Sequence, residues 1–196
     1  IEVEQVYKEI IKINTKIILM QCNTNYTASK NNFNYINLNV LKTFKNKFPK
    51  CILGLSDHTL GHETVIGAIT LGARVVEKHF TDRNSNKGPD HYFSMNPKTW
   101  REMIDASRNI EIALGDGIKR VEKNELSSRV VQRRAIYTKK NIIPGDKILR
   151  KDLILLRPCP NDAISPLKLS KIINKKAKKY IKKDDYLKEG SIAKKN

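Results

Sequence analysis

Apolar residues recur along the first 118 positions in two alternating rhythms. Residues 3–14 carry them at helical spacing, and residues 16–22 (KIILMQC) form an apolar run of strand length. Residues 23–32 are polar, include Tyr26, and suit a loop at the carboxyl end of that strand. Ile36, Val40, Leu41, Phe44 and Phe48 then make a helical stripe that stops at Pro49. Residues 51–55 read as a second strand, 63–71 as a helix closed by Gly72, and 74–79 as a third strand. A loop rich in Asn, Gly and Pro covers 82–90. The next helix starts at an Asn96 N-cap with Pro97 in its first turn and ends at Gly115. Its expected buried positions are Trp100, Met103, Ile104 and Ala113.

Helices thus separate apolar strands in the order α-β-α-β-α-β-α, which predicts a parallel α/β sheet or barrel. Sites in such folds lie at the carboxyl ends of strands. The polar clusters Ser56-Asp57-His58 and Glu77-Lys78-His79 fall there. Strands joined through one helix are often neighbours, so the two imidazoles would converge on one metal or substrate. Three strands do not close a barrel, so in the barrel reading these residues are its last part.

Beyond residue 118 the texture changes. Short strand-like runs (130–137, 147–149, 153–156) alternate with turns such as Pro144-Gly145-Asp146, and 167–173 reads as a short helix. The expected organisation is a domain over 1–118, a polar linker over 119–130 and a small, mostly β domain over 131–196.

The net charge of +18 follows the same division: residues 1–118 hold 15 basic and 12 acidic side chains, residues 119–196 hold 23 and 8. A basic half admits nucleic acid, an acidic membrane surface or phosphorylated ligands. The lysines are scattered and no nucleic-acid motif accompanies them, so a solvated surface is the simpler reading. Cys22, Cys51 and Cys159 are odd in number and far apart, which argues against a disulfide framework or structural zinc and for a reducing cytoplasm. No apolar run approaches the roughly 18–20 residues that cross a bilayer. The amino terminus lacks a signal-peptide layout and begins inside a helical pattern, as expected of a fragment.

GLSDHT (54–59), EKHFTD (77–82), GPDHYFSM (88–95) and, more loosely, QCNTNYT (21–27) resemble the sialic acid synthases, N-acetylneuraminate synthase and its legionaminate and pseudaminate relatives. RRAIYTKKNIIPGDKILRKDL (133–153) and LRP (156–158) resemble that family's antifreeze-like module, the SAF domain. The resemblance covers essentially the whole chain. It implies an α/β fold: the carboxyl-terminal part of a TIM (β/α)8 barrel followed by a small, mostly β SAF (β-clip) domain. Thr27 stands where relatives usually carry proline, and Asn174 where they often carry glycine.

The resemblance also implies a reaction. Phosphoenolpyruvate condenses with an N-acetylmannosamine-type aldehyde sugar, phosphate leaves, and a nine-carbon 2-keto acid forms. A divalent metal, manganese first and magnesium as the alternative, polarises the aldehyde; His58 and His79 match its ligands. Ser56, Tyr26, Asn23, Thr24, Asp90 and Arg157 match substrate contacts, with Arg157 reaching into the partner's site in a domain-swapped homodimer. Neither a membrane nor a nucleic acid is an expected partner. Because the strands that bring cations to phosphoenolpyruvate are absent, the chain alone is expected to be inactive.

Several of these residues keep a second reading. Asp57 is either a catalytic or orienting carboxylate for His58 or an N-cap, and Glu77 either handles protons or pairs with Lys78. Ser56 also suits a turn, Tyr26 packing, Asp90 a loop cap, and Arg157 a solvated surface. His62 stands four residues after His58, but Gly61 and the strand-to-helix break separate them, so it reads as a helix start, and His91 as a loop residue. The competing function class is a non-catalytic module that holds acidic polysaccharide or nucleic acid on its basic tail.

Overall fold

The computed structural model describes residues 2–27 and 29–193 and divides into two compact units, Ile1–Ile118 and Lys119–Asn196. The first unit runs α1 (Glu2–Ile10), β1 (Ile18–Cys22), α2 (Val40–Lys47), β2 (Ile52–Asp57), α3 (Glu63–Thr70), β3 (Val75–Lys78) and α4 (Pro97–Leu114). Its three strands pair in parallel in the order β1-β2-β3. Gly54 stands opposite both Met20 and Val75, Cys22 and Glu77 both oppose Ser56, and Asp57 opposes Lys78.

Side chains alternate between the faces of a strand, so this register sorts the sheet. Leu53, Leu55 and Val76 turn one way and pack with Leu41 and Phe44 of α2, Val65, Ala68 and Ile69 of α3 and Met103 of α4. The opposite face carries Cys22, Gly54, Ser56 and Glu77. A Cβ on Gly54 would meet Met20 Cγ at 2.8 Å and the Val75 carbonyl oxygen at 2.9 Å, so glycine lets the chains approach there.

Local chemistry sets the element ends. The helix expected from residue 36 starts at Val40, because Asn37 takes φ +50° and residues Lys30–Tyr35 form a 3-10 turn instead. Asn96 does cap α4: its side chain accepts from Thr99 N, and Thr99 Oγ1 accepts from Asn96 N, each at 2.9 Å. Trp100 and Ile104 pack on the core and Met103 is buried within it, whereas Ala113 is exposed and Ile110 packs there in its place.

The second unit holds α5 (Leu126–Gln132), β4 (Ala135–Thr138), β5 (Leu153–Leu156) and α6 (Leu169–Ile172). The stretch read as a linker is structured: a 3-10 turn at Lys123–Glu125, capped by Glu125 Oε2 accepting from Glu122 N at 2.9 Å, leads into α5. The strand expected over 130–137 is therefore only its second half. β4 and β5 pair antiparallel, and single bridges join Tyr137 to Tyr186, Ile142 to Ile181 and Ala177 to Ile192. Ile136, Ile142, Ile148, Leu153 and Leu187 form the core. Asn174 sits at φ +65°, where glycine is easiest and asparagine is tolerated.

Leu55 is 1% and Leu187 0% exposed, each in its own core. Leu55→Ala and Leu187→Ala should each lose about 3 kcal/mol by urea unfolding. An unchanged midpoint in either variant would contradict the assigned core.

Candidate active site

His58 and His79 each follow their strand by one residue, two positions beyond Ser56 and Glu77 on the face away from the helices. Their rings are 5.1 Å apart, centroid to centroid. Tyr26, on the loop after β1, lies 4.2 Å from the His58 ring and 5.4 Å from the His79 ring. Phe93 backs His79 at 5.1 Å. The aromatic rings hold the imidazoles by packing and offer them no competing charge.

Hydrogen bonds complete the orientation. His58 Nδ1 lies 2.9 Å from the Asn23 carbonyl oxygen. A carbonyl only accepts, so Nδ1 carries the proton and Nε2 keeps a bare lone pair in the neutral ring. His79 Nδ1 is 3.7 Å from Asp90 Oδ2, longer than a direct hydrogen bond. Ser56 Oγ donates to Glu77 Oε1 at 2.8 Å, which leaves Oε2 open on the same face. Thr24 is exposed on the Asn23–Tyr26 loop.

This set suits a catalytic cation. A backbone acceptor on the far nitrogen of a ligating histidine is the usual device for fixing its tautomer. Among the described residues, no group of three or more His, Cys, Asp or Glu side chains converges. Two imidazoles would thus leave most coordination positions to water or substrate oxygens, as an open site requires.

Asp57 corrects the sequence reading. Its side chain is 0% exposed and lies on the helix face, away from the imidazoles. Oδ2 accepts from Lys78 Nζ at 2.5 Å and from Thr64 Oγ1 of α3 at 2.6 Å, and Thr59 donates to the same carboxylate from N and Oγ1. Asn23, not Asp57, orients His58, and Glu77 pairs with Ser56 rather than with Lys78. The alternation decides this: residue 57 must point opposite to 56 and 58.

Sequence reasoning offered Lys78 only as a partner for Glu77 and passed over Phe93 and Tyr92. Lys78 donates to the Thr59 carbonyl at 2.8 Å as well as to Asp57. Its signal was present, a lysine at the core-facing position two residues after Val76. Tyr92 Oη donates to the Thr27 carbonyl at 2.5 Å and ties the loop after β3 to the loop after β1. Within that loop His91 contacts Thr81 Oγ1 at 2.8 Å, and Asn84 donates to the His91 and Ser94 carbonyls. His62 is the N-cap residue of α3 and makes no capping bond with its side chain. Arg157 lies in the second unit, exposed, directly after β5.

Comparison with known proteins gives these features a context. An N,N'-diacetyllegionaminic acid synthase of Legionella pneumophila is 38% identical over 157 residues, covering 80% of this chain and 42% of that protein. The synthase of the same name from Campylobacter jejuni is 34% identical, with 96% of this chain and 55% of that protein covered. The chain thus spans about half the length of these curated relatives. A crystal structure of a spore coat polysaccharide biosynthesis protein E from Chromobacterium violaceum shares the fold at TM-score 0.66 and 20% identity, over 98% of this chain and 57% of that one. Residues 133–193 match the SAF domain and residues 1–119 the NeuB family, so the chain belongs to the NeuB family and carries a SAF domain behind its α/β unit.

Proposed function

We propose that residues 1–118 are the carboxyl-terminal part of a TIM-type (β/α)8 barrel whose reaction joins phosphoenolpyruvate to a mannosamine-type aldehyde sugar and releases phosphate. The observation that carries this reading is the pair of imidazoles 5.1 Å apart beside the Ser56–Glu77 bond, in a chain of the NeuB family. The two named relatives are synthases of an acid with two N-acetyl groups, which favours a sugar bearing acetamido substituents.

In this reading His58 Nε2 and a ring nitrogen of His79 hold a divalent cation, manganese or magnesium. When bound, the cation supplies Lewis-acid polarisation of the aldehyde oxygen. The protein's own groups do the rest. Asp90 accepts hydrogen bonds from sugar hydroxyls, a strong interaction because the acceptor is charged. Asn23, Thr24 and Tyr26 border the sugar from the loop after β1, and the Tyr26 ring screens both imidazoles from water. Ser56 contacts phosphoenolpyruvate while holding Glu77. Glu77 Oε2 takes the proton of the water that adds at the phosphate-bearing carbon. Both Glu77 and Asp90 repel the anionic substrate, so its cationic contacts come from barrel strands outside residues 1–118, and residues 1–196 alone do not turn over. Arg157 serves the partner subunit's site in a swapped dimer, where its planar fork suits a carboxylate or paired hydroxyls.

The protein expressed together with the amino-terminal half of the barrel should release phosphate only with manganese or magnesium, phosphoenolpyruvate and a mannosamine-type sugar, mono- or diacetamido. Absence of metal-dependent release with any such sugar would end the synthase reading. His58→Ala and His79→Ala should each lower turnover by more than about a hundredfold, beyond the usual loss for groups that merely support a ligand. Near-normal turnover in either variant removes that residue from the metal shell. Arg157→Ala subunits mixed with His58→Ala subunits should regain activity, because the mixed dimer rebuilds one complete site. No regain on mixing contradicts the swap.

A further inference from the structure

The β2–β3 ladder ends at the Asp57–Lys78 pair, and the two histidines lie just beyond it. Past that register, no backbone ladder holds His58 and His79 at a common spacing. A side-chain bond takes over at that point. Lys78 Nζ reaches across from β3 to Asp57 Oδ2 at 2.5 Å and to the Thr59 carbonyl at 2.8 Å, so one ammonium grips both chain neighbours of His58. Thr64 of α3 holds the same carboxylate from the helix side at 2.6 Å. On the β3 side the His79 carbonyl accepts from Met95 N at 2.8 Å, which fixes the residue directly after Lys78.

We infer that the buried Asp57–Lys78 pair is a positioning device that sets the separation of the His58 and His79 imidazoles. The inference rests on the proposed metal role of those rings. The pair is 0% and 2% exposed at its side chains and faces away from the open side of the sheet, so no substrate touches it. The Ser56–Glu77 bond also crosses between the strands, but it lies on the open face, where ligands compete for both groups. Of these two side-chain bonds, the buried pair is the one that ties the strand ends independently of what binds. A purely stabilising ion pair would have no reason to act on ring geometry. Replacing both members of a buried pair by neutral groups is often tolerated, whereas removing one leaves a stranded charge.

The test uses Asp57→Asn/Lys78→Met, with Asp57→Asn as the single, in the full chain. The rings are close enough for a nuclear Overhauser effect between their protons in the metal-free protein, and manganese alone serves as the binding probe. A double variant that melts like the parent should lose that signal and bind manganese at least about tenfold more weakly, the range for groups that hold a ligand in place. If it folds with the ring signal and manganese affinity of the parent, the inference is wrong. Should the double variant not fold, Thr64→Val decides: a weakened ring signal supports the inference, an unchanged one overturns it. If the parent gives the ring signal yet binds no manganese, the metal reading fails, while the ring signal of the variants still judges the pair.

Discussion

The parallel register that places Ser56 opposite Glu77 and Asp57 opposite Lys78 governs the first unit. With side chains alternating on each strand, a single choice of register assigns every polar group to a face. Ser56 and Glu77 meet on the open side and lead into the two imidazoles. Asp57 and Lys78 meet on the covered side. A slip of one residue on β3 would bury Glu77 and His79 beneath the helices and turn Lys78 to the open face, parting the two histidines. The apolar core of Leu53, Leu55 and Val76 against α2, α3 and α4 makes such a slip costly.

The two faces solve different electrostatic problems. Charges on the covered face must be neutralised completely, and they are: the Asp57 carboxylate receives donors from Lys78, Thr59 and Thr64, and Lys78 has a carbonyl besides. Such a pair adds little net stability over apolar packing but penalises any arrangement that separates its members. On the open face, groups are left incompletely satisfied. Glu77 keeps one oxygen free, His58 keeps Nε2 bare, and Asp90 stands 3.7 Å from His79 without a direct bond. Unfinished bonding on a packed, aromatic-lined scaffold is what a ligand can complete.

The second unit is built on another plan. Its core of isoleucines and leucines is enclosed by short segments whose single bridges replace a broad sheet. Lys178, Lys179, Lys182 and Lys183 lie exposed around the buried Ala177 and Ile181, so the charge excess of this half rides on the outer side of core segments. The exposed pair of Lys188 with Asp162 at 2.9 Å contributes little to stability, whereas Lys140 at 3.2 Å reaches the buried carboxylate of Asp152. Arg157 follows β5 directly and is exposed.

By itself the sequence determined the elements and the chemistry at their ends. Periodicity located three strands and four helices of the first unit, Asn96 and Gly115 marked α4, and both histidines stood visibly at strand ends. What lay beyond it were partners separated along the chain. His58 donates to the carbonyl of Asn23, 35 residues away, although Asp57 is its neighbour. Lys78 joins Asp57 across 21 residues, although Glu77 is beside it. Near neighbours on a strand point to opposite faces and cannot meet, whereas residues in matching register do meet. Polar composition likewise made 119–130 look like a linker, yet a capping box between Glu122 and Glu125 closes a 3-10 turn there that runs on into α5. Local pattern decides which face a side chain takes; only the packed sheet decides whom it finds there.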